Sequence, residues 1–526
     1  MAKNIFLTCI ISLFIIIGIF PMLAMLFKSI TVNGHITMHA YSSLLKSPYE
    51  WKLMKHSLIL SLVVTICTII IGVPLGIVLG KTDIPVSKLF IFLFIIPMLI
   101  PPYIIAISWF DLLGKQGILS KVTPLFIKTT NQLLFGLPGC GFVLFSIFLP
   151  IPMLMTILLL HSINPRLEEA GKLLANWRKV LKYITLPIII PGISMAAVLV
   201  FLFSLGEFTV PNFLRYNVFP VESFIQFSAF YNFRQAIIHT IPLLIITLIL
   251  LIIEKLHLHK KRNKFSPYIK YGEIYIIRLN IFYKITFFII LTIMVFIIVI
   301  LPLLALIIKS SELRIFLTAF EMAKSSILRS IMYAIIGATF LSILGFFLGY
   351  IIQTKLFSFA SIIDSFTIFL LALPSTVIGI GLINMWNTSW TKFIYSTPLI
   401  IIMGYIAKYT AITSKIIHAQ LSHIPRSMEE AAQMLGAKWS HRILYILGPL
   451  AKKGIVISWI VGYIFLLRDT GITMLVYPPG HDTLSVRIFT LMANGSPELI
   501  ASLCIIMICV SILPMFILIK IFKIWS

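Results

Sequence analysis

The sequence predicts an all-α integral membrane protein of about 12 transmembrane helices, arranged as two tandem, pseudo-symmetric halves of six helices each. Of its 526 residues, 60% are hydrophobic and 11% are charged, whereas a soluble domain is about 45–50% apolar and about 25% charged. This composition excludes a soluble enzyme. The other two observations are the length of the apolar stretches and an internal repeat.

Apolar stretches of about 20–25 residues are long enough to cross about 30 Å of hydrocarbon as helices. They predict spans near residues 4–27, 57–80, 89–112, 137–161, 187–209, 237–254, 284–308, 329–353, 361–386, 396–418, 450–474 and 500–522. Prolines interrupt the third and ninth spans at corresponding places, including Pro101 and Pro374. Broken helices in matching positions of two halves are typical of a transport pathway, and ordinary kinking is the alternative.

The chain is strongly basic, with 42 Lys and Arg against 17 Asp and Glu. In a membrane protein this excess is explained by loops that stay in the cytoplasm, so no nucleic-acid partner is predicted. The charge distribution favours cytoplasmic N- and C-termini. The densest basic stretch, residues 256–283, predicts a cytoplasmic linker between a first half at 1–255 and a second half at 284–526.

A polar segment of the first half recurs in the second half. Its shared residues are Pro165, Glu168, Glu169, Ala170 and Trp177 in one copy and Pro425, Glu429, Glu430, Ala431 and Trp439 in the other, and the two tryptophans are 262 residues apart. The copies lie in loops at about 163–187 and about 420–449, both predicted to be cytoplasmic. The repeat therefore predicts two equivalent surface elements, one in each half.

Local chemistry predicts a helix–turn–helix in each loop, and a merely amphipathic connector is the alternative. Proline suits the first turn of a helix, and glutamates near the N-terminus are favoured by the helix dipole. Ser427 and Glu430 have the spacing of a capping box. Gly436 is expected to end the second helix in the left-handed conformation, and Asn176 is expected to tolerate that conformation in the first copy.

At these residues the sequence resembles the membrane permeases of ATP-binding cassette importers, which carry a cytoplasmic Glu-Ala-Ala-x3-Gly-Ala loop followed by Leu-Pro. The second half has the first part of this pattern in full, from Glu430 to Ala437, with Leu447-Gly448-Pro449 downstream. The first half has Ala175 at the glycine position and keeps Leu186-Pro187. The resemblance covers nearly the whole chain, as a fused two-half permease most like those for ferric iron.

The resemblance implies a type I-like permease fold in the bacterial inner (plasma) membrane, with a periplasmic solute-binding protein as a partner. It also implies that each loop docks as a coupling helix on one of two copies of a cytoplasmic ATP-binding subunit. The residues implied in this coupling are Glu168, Glu169, Ala170, Gly171, Ala175, Glu429, Glu430, Ala431, Ala432, Gly436 and Ala437. The chain itself is expected to be no enzyme and to bind no cofactor, with ATP on the partner, because its two Gly-Lys pairs lack the rest of a phosphate-binding loop.

Ionisable residues within the spans are candidates for the transport pathway. They are Glu207, Asp469, Arg468, Asp111 and Lys408. Glu207 follows Pro187 by 20 residues, and Asp469 follows Pro449 by the same number. Twenty residues make about 30 Å of helix, so we expect the two carboxylates to face each other at the outer mouth. Two carboxylates suit a hard cation. The alternative is that both are simply hydrated polar groups that end helices at the membrane edge. Lys408 could instead face an anionic substrate or extend towards the inner surface.

The predicted external loop at 477–488 is similar to one in ferric-iron permeases. This similarity implies iron(III), although permeases for thiamine, polyamines and other small solutes share the architecture. No metal site is certain, since His481 and Asp482 alone provide too few ligands. An ion-gradient-driven secondary transporter is the alternative class, and a passive channel is a third. Neither class gives a reason for two matched cytoplasmic loops.

Overall fold

A computed structural model describes residues 2–32, 35–36, 39–114, 117–118, 133–262 and 275–521. Within these residues, nine helices are long and apolar enough to cross a membrane, and three further pairs of helices meet the same test across a bend. Counting each bent pair as one span gives up to 12 spans. The prediction of an all-α membrane protein with about 12 spans is confirmed. Part of the predicted linker, 263–274, lies outside the described residues.

The helices and strands form two series along the chain, one before the linker and one after it. Before the linker they are α1 Ala2–Phe14, α2 Phe20–Ile30, β1 Thr31–Val32, β2 His35–Ile36, α3 His39–Lys46, α4 Pro48–Lys81, α5 Ser87–Leu99, α6 Pro102–Leu113, α7 Leu137–Phe148, α8 Pro150–Leu160, α9 Pro165–Leu174, α10 Trp177–Val180, α11 Leu186–Leu205, α12 Thr209–Phe213, α13 Phe219–Ser228 and α14 Phe233–Arg262. After it they are α15 Ile281–Val295, α16 Leu301–Lys309, α17 Leu313–Thr354, α18 Ala360–Ala372, α19 Ser375–Trp386, α20 Lys392–Tyr395, α21 Leu399–Ser422, α22 Arg426–Met434, α23 Trp439–Arg442, α24 Gly448–Leu450, α25 Lys452–Arg468, α26 Gly471–Val476, α27 Leu484–Leu491 and α28 Pro497–Ile521. The two short strands pair antiparallel.

The third and ninth spans are broken at corresponding prolines, as the sequence predicts. Helices α5 and α6 meet at 98°, and α18 and α19 meet at 106°. Pro101 has φ −54° and ψ 135°, and Pro374 has φ −53° and ψ 142°, so both take the same extended conformation. A third bend, of 75° before α25, falls at Ala451 and has no counterpart in the prediction.

Four π-helical segments, at 15–19, 181–185, 296–300 and 443–447, precede a Pro-containing turn of the following helix. The residue before each proline donates its backbone N–H five residues back, as Leu186 does to the Leu181 carbonyl. Proline has no N–H and crowds the preceding turn, so the wider turn keeps the helix continuous. As a result, Pro187 does not open the fifth span, which instead runs from Trp177 to Leu205.

The first compact unit contains Ser47–Val221 and Leu243–Ser311. Its main hydrophobic core joins Leu75 and Leu79 of α4 with Phe94 of α5, and Leu291 and Val295 of α15 pack into the same cluster. The seventh span therefore packs with spans of the first half of the sequence.

The second compact unit contains Met1–Lys46, Glu222–Pro242 and Glu312–Ser526. Here the first span packs against spans of the second half. A Cβ added to Gly381 of α19 would lie 2.4 Å from the Met22 side chain of α2, and one added to Gly18 would lie 2.6 Å from Leu370 of α18. The halves 1–255 and 284–526 stay a prediction from the sequence repeat; the compact units differ from them in their first spans and in Glu222–Pro242, which belongs to the second unit.

Candidate functional site

The first of the two repeated loops contains a short helix that begins and ends differently from its counterpart. Pro165 occupies the first turn of α9, and the Asn164 side chain caps the helix by accepting the Arg166 N–H at 3.1 Å. The helix ends at Ala175, whose backbone is extended, and Asn176 is extended as well. The expectation that Asn176 would provide a left-handed turn is therefore wrong. The first copy of the repeat is one residue shorter than the second, and α9 ends without a left-handed residue.

Glu168 of the first loop points into the protein. Its side chain accepts hydrogen bonds from Lys81 Nζ, at the end of α4, and from the Thr185 hydroxyl at 2.6 Å. Lys81 and Glu168 are 0% and 1% exposed, so this is a buried ion pair. Breaking such a pair leaves an uncompensated charge away from water. Glu168 therefore attaches the loop to a transmembrane helix, while its neighbour Glu169 is exposed.

The second loop contains α22, which follows Pro425. The capping box predicted for Ser427 and Glu430 is not formed: Pro425 occupies the N-cap, so Ser427 lies inside the helix. Gly436 has φ +82°, and the next residue, Ala437, donates its N–H to the Ala432 carbonyl at 3.0 Å. This is the left-handed helix end that the sequence predicts for Gly436.

Glu429 takes the position in the second loop that Glu168 takes in the first. It accepts a hydrogen bond from the Tyr350 hydroxyl of α17 at 2.9 Å and lies 3.6 Å from Arg442 Nε. Glu430, like Glu169, is exposed. In both loops the first glutamate therefore contacts the protein's own helices, and the second faces outwards.

Large apolar side chains at the C-terminal end of each loop helix are almost fully exposed. Leu173 and Leu174 of α9 are 89% and 91% exposed, and the matching Met434 and Leu435 of the second loop are both 88% exposed. Single exposed apolar residues are ordinary, but matched pairs on short polar helices are typical of a surface that another protein covers.

The small residues of the two loops divide between inward and outward positions. Ala170 and Ala431 are exposed, while Gly171, Ala175, Ala432 and Ala437 are partly buried. A Cβ added to Gly171 would lie 2.5 Å from the Ile184 side chain. A larger residue at Gly171 would therefore require the end of the Ile184 side chain to move.

The proposed pathway carboxylates each lie where a span ends and a short helix begins. Glu207 accepts hydrogen bonds from the backbone and the hydroxyl of Thr209. Asp469, which is 5% exposed, accepts from Tyr409 Oη at 2.7 Å and from the Ile472 and Thr473 N–H groups at 3.0 and 3.2 Å. This geometry favours a helix-capping role, and the expectation that the two carboxylates face each other stays a prediction.

The three remaining pathway candidates have dissimilar surroundings. Arg468 lies over the Phe465 ring at 5.2 Å, and Asp111 of α6 is 5% exposed. Lys408, the tenth residue of α21, donates to the Ser375 hydroxyl at the break between α18 and α19. The structure therefore places one cation of the second unit beside its broken span.

The predicted external loop at 477–488 is held against α17. Asp482 accepts from Arg329 Nη2 at 2.6 Å and from the Ser326 hydroxyl at 2.7 Å. His481 Nδ1 lies 2.8 Å from Tyr333 Oη. Across the part of the chain that is described, no group of three or more His, Cys, Asp and Glu residues is placed to hold a metal. His481 and Asp482 thus fix the loop to α17.

Two stretches of the chain, 72–263 and 342–523, match the family described as binding-protein-dependent transport system inner membrane component. Together they make up more than half of the 526 residues. The chain belongs to this family. The double match also confirms the internal repeat and the resemblance to a fused, two-half ATP-binding cassette permease.

Curated relatives of this permease differ in the solutes for which they are named. FbpB 1 of Haemophilus influenzae, which carries the name of a ferric transport system permease, is 23% identical over 92% of this chain and 79% of its own length. The ferric transport system permease protein FbpB of Actinobacillus pleuropneumoniae is 22% identical over 74% of this chain and 59% of its own length. The molybdenum transport system permease protein ModB of Escherichia coli is 28% identical over 35% of this chain and 80% of its own length.

Sequence reasoning missed the inward partners of the permease's loop helices, Lys81 and Tyr350, which hold Glu168 and Glu429. Lys81 ends a long apolar run, and a lysine in that place has the signature of an ordinary interfacial residue. Only the folded chain brings it to a carboxylate 87 positions away.

Proposed function

We propose that the chain is the permease subunit of an ATP-binding cassette importer that moves iron(III), delivered by a periplasmic binding protein, into the cytoplasm. Two copies of a separate ATP-binding subunit dock on the two loop helices from the cytoplasmic side. ATP hydrolysis takes place on that partner, and the permease contributes the path across the membrane.

The matched, exposed apolar residues of the loops are the main support for ATPase docking. Leu174 and Leu435 occupy equivalent places in the repeat and are about nine-tenths exposed. Glu168 and Glu429 attach each loop to the end of a long helix of its own unit. A force applied to a loop therefore reaches α4 or α17 directly, as coupling requires.

Replacing the exposed leucines tests this docking. We expect Leu174→Asp and Leu435→Asp each to reduce uptake at least tenfold, because a charge in a dry, apolar contact costs several kcal/mol. Leu313→Asp is a matched control, since Leu313 is 72% exposed and begins α17 on the side predicted to be external. If both loop variants accumulate solute as the control does, the loops are not the docking sites.

The identity of the solute rests on the relatives named for ferric transport and on the loop at 477–488. Cells that express the permease with its ATPase and binding protein should accumulate radioactive iron(III). Uptake should stop when ATP is depleted while the membrane potential is maintained. Continued accumulation under that condition would favour the ion-gradient-driven class. If the cells accumulate thiamine or a polyamine instead of iron(III), that solute would replace iron in the proposal.

Lys408 favours a second candidate, an anionic solute. Lys408 lies in the transmembrane helix α21, and its ammonium group donates to the Ser375 hydroxyl at the break of the bent pair α18–α19. A cation at that depth attracts an anion and repels iron(III). For an anionic solute, Lys408→Met should abolish uptake and Lys408→Arg should retain it. For iron(III), both variants should transport the metal at least as well as the wild type.

A further inference from the structure

The described end of the central linker contacts the first loop and the end of α4. From Tyr275 to the start of α15 the chain has no regular secondary structure apart from a parallel β-bridge at Ile277. We refer to residues 275–279 as the linker segment. It lies in the first compact unit, alongside the first loop helix and the end of α4.

The linker segment contacts the first loop through Tyr275. Lys172 of α9 donates from Nζ to Tyr275 Oη at 2.9 Å, and its ammonium lies 5.4 Å from the centre of the Tyr275 ring. The same ring lies 4.9 Å from the Trp177 ring. One aromatic side chain therefore contacts both the helix of the loop and the residue with which the next helix begins.

The segment also contacts the end of α4 and the turn that follows it. Ile277 donates its backbone N–H to the Lys81 carbonyl at 2.7 Å and pairs with Thr82 in a parallel bridge. Leu279 donates its N–H to Asp83 Oδ1 at 2.9 Å. Lys81 is also the residue whose side chain binds Glu168 of the loop, so α4 and α9 are linked to each other as well as to the segment.

The contacts alternate along the linker segment. Residues 275, 277 and 279 make them, whereas Ile276 is 56% exposed and Arg278 is exposed. Period-two alternation is the signature of an extended strand with one face packed. A solvated tether has no reason to adopt this pattern, because it has no packed face.

We propose that the linker segment is a positioning element that holds the first coupling loop against α4. Tyr275 contacts the loop at Lys172 and Trp177, and the Lys81–Glu168 pair attaches the loop to α4. The part of this inference that concerns coupling rests on the proposed function. The contact between segment and loop is independent of it.

Backbone substitution separates the packed face from the exposed one. Ile277→Pro removes the N–H that bonds to Lys81, and an extended residue before proline is compatible with its ring. Ile276→Pro is the matched control, because successive N–H groups of an extended chain point to opposite edges. Tyr275→Ala is a second variant that leaves the backbone unchanged.

The experiment is hydrogen–deuterium exchange of the purified full chain in nanodiscs, without ATPase or solute. Ile277→Pro loses one backbone hydrogen bond, and Tyr275→Ala loses the side-chain hydrogen bond from Lys172; a typical hydrogen bond contributes about 1 kcal/mol, which corresponds to about fivefold faster opening. We therefore expect the amides of residues 166–174 to exchange about fivefold faster in Ile277→Pro and Tyr275→Ala than in the wild type, and at the wild-type rate in Ile276→Pro. The second loop helix, Arg426–Met434, is the internal control and should exchange equally in all chains. Unchanged exchange of Pro165–Leu174 in both variants would overturn the proposal.

Uptake then tests whether positioning matters for coupling. At equal amounts in the membrane, Ile277→Pro should take up iron(III) several-fold more slowly than Ile276→Pro. Equal uptake despite faster exchange of the loop would overturn the positioning role. If the wild-type chain takes up no iron(III), the solute assignment fails, while the exchange result still decides whether the segment holds the loop.

Discussion

Removing Lys81 is the sharpest perturbation of the first loop. Its side chain is completely buried and binds Glu168, which is itself 1% exposed and accepts a second hydrogen bond from Thr185 at 2.6 Å. Lys81→Met keeps most of the volume and removes the charge. Glu168 is then left as a buried carboxylate with one neutral donor.

The size of the loss follows from burial. Two unit charges about 4 Å apart interact by about 4 kcal/mol at an effective dielectric constant of about 20, and removing one partner of a buried pair costs about 3–5 kcal/mol. Lys81→Met should therefore destabilise the folded chain by about 3–5 kcal/mol. The double variant Lys81→Met/Glu168→Gln should recover most of this loss, because no buried charge remains.

Denaturant-induced unfolding of the purified chain in detergent micelles measures the effect. Lys284→Met is the matched control, because Lys284 pairs with Asp83 at 2.7 Å while both side chains are about 30% exposed. The control should shift the unfolding midpoint much less than Lys81→Met. A loss of unfolding free energy in Lys81→Met no larger than in the control would refute the role of the buried charge, as would a double variant no more stable than Lys81→Met.

Three further predictions concern the second loop, the pathway and pH. Gly436→Ala should destabilise the end of α22 by about 1 kcal/mol, because φ is +82° there, and faster local hydrogen exchange would report it. Glu207→Gln with Asp469→Asn should impair iron uptake without unfolding the chain, since amide oxygens can still accept the capping hydrogen bonds. Normal accumulation of iron would show that these two carboxylates are not needed in the pathway. The Leu279 amide is the main cause that holds the pKa of Asp83 below 3.8. Asp83→Asn should therefore lower the thermal midpoint by a constant amount at neutral pH, and this difference should vanish as pH falls below 3.8.

Local sequence chemistry predicted the spans, two of their three breaks and one helix end. Span length and apolar content depend only on neighbouring residues, and Pro101 and Pro374 impose their bends through their own rings. Gly436 takes its left-handed conformation because the adjacent helix needs a terminating turn. Each of these features is decided within a few residues of the chain.

Contacts between distant residues could not be predicted in the same way. Lys81 and Glu168 are separated by 87 positions, and neither shows in sequence which residue it will meet. The packing of Leu291 with the first unit, and of Met22 with the second, likewise depends on how spans assemble. Ser427 failed as a cap because Pro425 already occupies that position, so a spacing rule alone chose the wrong residue.

Site-specific photo-cross-linking in intact membranes tests the central claim most directly. A photoreactive amino acid at position 174 or 435 should capture the same ATP-hydrolysing subunit from either loop, whereas position 313 should not. Labelling of cysteines introduced at positions 174 and 435 by a membrane-impermeant thiol reagent added from the periplasmic side, without capture of an ATPase by the photoreactive chains, would contradict the account.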